Sequence, residues 1–184
     1  MPTYATLPPA IRRAVEITPS STALERTIDI TTIGRLTGKP RRIEIFFYRA
    51  GGQVYLSSLP ARRSWYVNLE HNPRFMFHLK YRVHADIPAI ATPVTDPAER
   101  RAIFAEIVAD LNQPSNPGRI SQPTSVDAWV NGSPLMRVDF DTDEPQAQVS
   151  IRKRSYDTNR SQNTATLRST PQADDIDRSV CALS

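Results

Sequence analysis

Six short strand-like runs separated by turn residues limit what this chain can fold into: residues 26–33, 43–49, 54–58, 75–79, 83–89 and 135–140. In the first, Ile28 and Ile30 alternate with Thr27 and Asp29, the pattern of a half-buried strand. Gly51-Gly52 joins the second run to the third, and two glycines supply the positive φ angles of a short hairpin turn. Phe75, Phe77 and Leu79 alternate, Lys80-Tyr81-Arg82 turns, and Val83, Ala85, Ile87 and Ala89 alternate again. Pro88 predicts that this fifth strand lies at a sheet edge or a bulge, because proline cannot donate to a ladder. No strand–helix–strand alternation occurs, which argues against a parallel nucleotide-binding sheet. The expected fold is mainly β (α+β): a small antiparallel barrel with a few short helices.

The helices are few. Pro8-Pro9 opens one through Ile11 and Val15. Residues 62–71 change to helical spacing at Trp65 and Leu69, and Asn72-Pro73 stops them. Asp96-Pro97-Ala98-Glu99 is a helix start with Asp as cap, and Ile103, Ile107 and Leu111 share its apolar face. Residues 126–130 allow one further helical turn.

Between the first two strands lies Gly34-Arg35-Leu36-Thr37-Gly38-Lys39-Pro40-Arg41-Arg42, with four cations, two glycines and no acid. Glycine permits sharp bending and close backbone approach, and Arg and Lys there favour a phosphate or carboxylate. The spacing is not that of a P-loop, since Pro40 follows Lys39 where a Ser or Thr would bind magnesium. A solvated basic hairpin is the plain alternative. Residues 64–69, Ser-Trp-Tyr-Val-Asn-Leu, open the 62–71 helix, whose N-terminal N–H groups also favour anions. Trp65 and Tyr66 could flank a flat ring and Asn68 could bond its heteroatoms. The plainer reading puts Trp65 and Leu69 in the core and Asn68 at the surface.

Charge is unevenly spread. The net charge is +4, with 17 Lys/Arg against 12 Asp/Glu up to residue 140 and 6 against 7 beyond. A basic excess concentrated on one bend suits a small anionic ligand better than nucleic acid, which asks for a broader basic face. From residue 141 large apolar residues nearly vanish, so residues 143–184 are expected to be a disordered polar tail. The lone Cys181 excludes an internal disulfide and suits a reducing cytoplasm. His71, His78 and His84 lack metal-ligand spacing, no metal is expected, and no Ser–His–Asp set can be argued from the sequence. No signal pattern or bilayer-length apolar run is visible.

As an ordered set, residues 31–41, the strand end at Ser57-Ser58, residues 65–69 with Asn72-Pro73, and the helix opening at Asp96 resemble the deazaflavin-dependent nitroreductase (nitroreductase/quinone reductase) family. The resemblance spans about residues 25–140. It implies a split β-barrel of the flavin-reductase, FMN-binding type, with residues 1–24 as an N-terminal helical segment and 25–142 as the coenzyme domain. It also implies binding of coenzyme F-420, a 5-deazaflavin with a phosphate and a glutamate tail, or alternatively FMN. The implied reaction is hydride transfer to a small-molecule quinone, nitroaromatic or enone acceptor. The alternative is a barrel that binds such a ligand without turnover. Carried over residue by residue, the bend (Gly34, Arg35, Leu36, Thr37, Gly38, Lys39, Arg41, Arg42) contacts the phosphate region. Ser57 and Ser58 lie by the ring, and Ser64, Trp65, Tyr66 and Asn68 close over it. No catalytic residue is assigned, although Tyr66 or water could supply a proton. A homodimer is allowed. Many members have a longer segment with two glycines and a lysine before the Trp-Tyr pair; here Arg62 or Arg63 would replace that charge.

Overall fold

The hairpin of β1 (Thr27–Ile33) and β2 (Pro40–Ala50) carries the basic bend at its tip. The computed structural model describes residues 4–59, 63–114 and 123–141. All of them fall in the first of two units into which the chain divides, Met1–Lys153 and Arg154–Ser184. The expected polar tail at 143–184 lies outside the described residues, as do Cys181 and Arg62.

Four further strands complete the sheet: β3 (Gln53–Ser57), β4 (Arg74–Leu79), β5 (Ala85–Pro93) and β6 (Leu135–Phe140). They close into a barrel in the order β1-β2-β3-β6-β5-β4, every pair antiparallel. Gly51 and Gly52, at φ 53 and 78°, form the β2–β3 turn. Closure corrects the expectation for Pro88. β5 pairs on both sides, so it is no edge. Proline is tolerated because the β6 ladder begins at Ala89, and the Pro88 carbonyl still accepts from Asp141 N at 2.8 Å.

Alternation fills the interior. Ile28, Ile30, Phe47, Leu56, Phe77, Ile87 and Val138 are buried together. Phe77 meets Phe47 and Phe140 edge-on at centroid distances of 5.5 and 5.3 Å. Such pairs add about 0.5–1.5 kcal/mol each beyond burial. α1 (Pro9–Val15) closes one barrel end, with Ile11 and Val15 fully enclosed in the same core. α2 (Ala23–Arg26) precedes β1, capped by Thr22 and Glu25 in a reciprocal box. α4 (Pro97–Leu111) and α5 (Val126–Gly132) cover the outer face of β2 and β3 through a second core of Tyr48, Tyr55, Phe104, Ile107 and Trp129. Asp96 caps α4 by accepting from Glu99 N at 2.7 Å. α3 (Ser64–His71) begins two residues later than the change of period suggests.

Candidate functional site

The bend closes on itself through three backbone bonds. Gly34 N donates to Lys39 O at 2.9 Å, while Gly38 N and Thr37 N donate to Gly34 O at 2.8 and 3.2 Å. Gly38 sits at φ +62°, the conformation that favours glycine. Gly34 is needed for a different reason. A Cβ there would stand 2.8 Å from Thr37 Oγ1 and 3.3 Å from Arg41 Nε. The missing side chain makes a cradle across which the Arg41 side chain passes.

Opposite the bend stands α3, and it presents three flanks. Trp65 and Leu69 enter the core. Ser64, Val67 and Asn68 face the bend, and with Gly34, Arg35, Leu36, Thr37 and Arg41 they line a cleft of about 420 Å³. Tyr66 and Glu70 face the other way, into a groove of about 470 Å³ with Arg100, Ser133 and Pro134. Asn68 ties helix to bend: its Oδ1 accepts from Arg35 N at 3.1 Å, and its Nδ2 donates to Thr32 Oγ1 at 3.2 Å.

Electrostatically the cleft is positive. Among the described residues Arg35, Lys39 and Arg41 have no acidic partner, whereas Arg42, Arg74, Arg82 and Arg101 each have one and Lys80 has two. The N-cap position of α3, Arg63, makes no side-chain cap bond, so among the described residues the first N–H groups of the helix, beside Ser64, have no side-chain cap. Leu36, 83% exposed at the tip, adds an apolar contact among the cations.

The expected residues do not all converge. Gly34, Arg35, Leu36, Thr37, Arg41, Ser64 and Asn68 come together. Arg42 does not. It shares the outward phase of β2 with Glu44 and donates to Asp29 at 3.0 Å, where Lys80 also pairs. Lys39 and Gly38 shape or charge the bend without lining the cleft. Trp65 is a core residue, not an exposed ring clamp. Asn68 is neither surface nor free, because both ends of its amide are engaged within the chain. Tyr66 opens on the neighbouring groove, where burial first and then the Glu70 carboxylate hold its phenol above the usual value.

Ser57 and Ser58 do not line that groove; they stand at the end of β3, next to its lining residue Pro134. Ser57 Oγ donates to Pro134 O at 2.7 Å. Ser58 Oγ and Ser133 Oγ are the buried side-chain polar atoms without a hydrogen-bond partner among the described residues. They lie on adjoining strand ends, since Ser57 pairs with Leu135. Buried hydroxyls are rarely left unpaired, so a polar ligand or water at this end is favoured. Sequence reasoning gave no site role to Val67, Glu70, Arg100 or Ser133; Val67 carried a signal in its helical spacing from Ser64, and Ser133 one in the Ser133-Pro134-Leu135 segment that shares in the family resemblance.

The outer face holds one more polar set. His78 Nδ1 bonds Asp86 at 2.6 Å and its Nε2 bonds Thr31 Oγ1 at 2.8 Å, stitching β1, β4 and β5. Among the described residues no group of three or more His, Cys, Asp or Glu could hold a metal ion, and no helix is long and apolar enough to cross a membrane.

Solved structures similar to this chain include a conserved hypothetical protein from Mycobacterium tuberculosis, at 22% identity over 72% of this chain and 79% of that one, TM-score 0.49. A pyridoxamine 5'-phosphate oxidase-related, FMN-binding protein from Nostoc punctiforme is 15% identical over 73% and 82%, TM-score 0.49. An F-420 reductase is 15% identical over 63% and 87%, TM-score 0.44. The family model described as F-420H(2)-dependent quinone reductase matches residues 11–120, which include the bend, β3, α3 and all of α4. On that match the chain is an oxidoreductase belonging to the F-420H(2)-dependent quinone reductase family.

Proposed function

We propose that this protein binds coenzyme F-420 and reduces a small quinone, nitroaromatic or enone. The observation that carries the reading is the cleft between bend and α3. It combines unpaired cations, a glycine cradle and an uncapped helix N-terminus. Those features fit the coenzyme's phosphate and carboxylates, which need charge and N–H donors.

Bound, the deazaflavin supplies the hydride. The chain supplies the rest. Arg35 and Arg41 hold the anionic end; Lys39 adds charge at the rim. Asn68 fixes the bend against α3, so this binding energy serves orientation. Ser133 offers an unpaired hydroxyl to a polar ring or acceptor at the groove beyond α3, and Ser58 offers another from the adjoining end of β3. Tyr66 Oη, kept protonated by burial and Glu70, can give a proton to an acceptor in that groove. The fully buried Leu69 and core Trp65 anchor α3 behind both surfaces.

Titration of the purified chain with oxidised F-420, FMN and FAD, followed by fluorescence, tests the coenzyme. Saturable binding of F-420 in preference to the flavins is expected. Loss of the reduced coenzyme's absorbance signature on adding menadione, a nitroarene or an enone then ranks the acceptors. Binding of F-420 with no oxidation by any of the three would leave a ligand-binding barrel without turnover.

A further inference from the structure

A third cavity, of about 460 Å³, opens between α1 and the β4–β5 turn. It lies at the other end of the barrel from the basic cleft. β1 starts beside this turn, with Ile28 paired to Leu79, and ends at the bend. A seven-residue strand separates the two ends by roughly 20 Å. The volume is in the range of small-molecule sites.

The lining has an apolar floor and a charged rim. Ala10, Arg13 and Ala14 stand at i, i+3 and i+4 on α1, on a different flank from the core residues Ile11 and Val15. The two alanines leave the space open, and Ile17 and Val83 extend the apolar surface. The far wall is a strained turn. Arg82 is the one non-glycine residue at positive φ (59°) among the described residues, and its guanidinium lies 5.2 Å from the Tyr81 ring centroid. Such strain persists only where surroundings enforce it, and it clusters at ligand sites.

Charge accounting selects the ligand. Arg82 pairs with Glu25 at 3.1 Å, and Lys80 pairs with Asp29 and Glu44. Glu16 accepts from the Tyr4 hydroxyl, which itself accepts from Arg49 Nη1 at 3.4 Å, so the cation facing this carboxylate lies outside the lining. Arg13 is the lining cation without an acidic partner among the described residues. One unmatched positive charge beside an apolar floor fits one negative charge on an apolar body. A dianion would leave a charge unmatched near Glu16 and Glu25. We propose that this cavity is a second ligand site, separate from the coenzyme cleft, which takes a small amphipathic monoanion: a carboxylate or sulfonate on an aliphatic or aromatic body.

The test is a fluorescence titration of the full chain with 1-anilinonaphthalene-8-sulfonate, with decanoate and 1-decanol as competitors. Saturable one-to-one binding is expected, with decanoate competing several-fold better than decanol. Arg13→Glu should weaken binding about tenfold or more, while Arg12→Glu, a neighbouring reversal outside the lining, should change it less than twofold. Ala14→Trp should abolish binding by filling the space; circular dichroism checks that each variant folds, and the exposed Arg13 keeps the test alive if Ala14→Trp does not. Unchanged affinity in Arg13→Glu, equal competition by decanol, or loss in Arg41→Ala instead would overturn the proposal.

Discussion

Asn68 Oδ1 accepts the Arg35 backbone N–H at 3.1 Å, and this bond joins helix α3 to the basic bend that faces it. The other end of the same amide donates to Thr32 Oγ1 inside the barrel end. The bend is therefore held from below, and its arginine side chains are left free to meet a ligand. Asn68→Ala should remove both bonds, cost about 1–2 kcal/mol in urea unfolding, and weaken F-420 binding about tenfold through a looser bend. Asn68→Asp keeps the acceptor for Arg35 N–H but places a negative charge in the cleft, so it should bind the coenzyme more weakly still. Equal affinity in Asn68→Asp and the parent would remove the cleft from the coenzyme site.

Strand parity separates two adjacent arginines. Arg41 lies in the cleft, while Arg42 faces outward to Asp29. Arg41→Ala should weaken coenzyme binding tenfold or more, about 1.4 kcal/mol or above, and should flatten its salt dependence. Arg42→Ala should change affinity less than twofold and stability by no more than about 1 kcal/mol, as for an exposed ion pair. Parallel titrations of the two variants at low and high salt decide between them; equal losses would mean that charge alone, not placement, drives binding.

That difference was present in the sequence. Ile43 and Ile45 mark the inward phase of β2 and Glu44 the outward one, so counting back assigns Arg41 inward and Arg42 outward once the strand is known to begin at Pro40. Treating residues 34–42 as one bend hid it. The strand count, the Gly51-Gly52 hairpin and the Asp96 cap were legible because each rests on local chemistry or on short-range periodicity. Thr22-x-x-Glu25 was an equally local signal for α2. Pro88 was misleading, because whether a strand is an edge depends on closure by β6, which comes about fifty residues later. The partners of Asn68 and the divergence of Trp65 and Tyr66 onto different flanks depend on how α3 docks, and helical spacing alone does not set that.

Gly34→Ala tests the cradle. Its Cβ would meet Thr37 Oγ1 at 2.8 Å and crowd Arg41 Nε, so either the turn or the arginine must move. The expected outcome is a folded barrel with about tenfold weaker coenzyme binding. Pairing the change with Thr37→Ala should recover part of the loss, since the nearest contact is then gone. No recovery in the double variant would show that Arg41 displacement, not the Thr37 contact, causes the defect.

Arg26 makes a different kind of link. Only 1% exposed, it pairs with Asp110 on α4 and donates to Ser21 O at 3.1 Å and Thr18 O at 2.5 Å. It thereby fixes the chain before β1 to the helix outside the barrel. Asp110→Ala should leave a buried guanidinium short of charge and cost about 3–5 kcal/mol. Arg26→Met should cost less, because the apolar replacement leaves only the partly exposed Asp110 unpaired. Urea unfolding of both variants checks the order; a larger loss in Arg26→Met would contradict it.

Asp29 contributes to the acid limb of stability, beside Glu25, whose carboxyl is also held below its ordinary value by Thr22 and nearby arginines. Burial alone would raise the Asp29 pKa, but hydrogen bonds and charge from Lys80 and Arg42 outweigh burial and hold the carboxyl below its ordinary value. A carboxylate depressed in the folded state contributes stability above its unfolded pKa, about 3.9, and loses that contribution as pH falls through the folded value. The parent protein should therefore lose melting temperature from about pH 4 downward. Asp29→Asn should start lower at pH 7 and fall less steeply in acid, because one of the two titrating partners of Lys80 is gone and only Glu44 remains. Melting curves from pH 7 to about pH 2.5 compare the two. Parallel curves with no convergence in acid would mean that the Asp29–Lys80–Arg42 contacts contribute nothing to the linkage, and that the outward face of β1 is held by the His78 bonds instead.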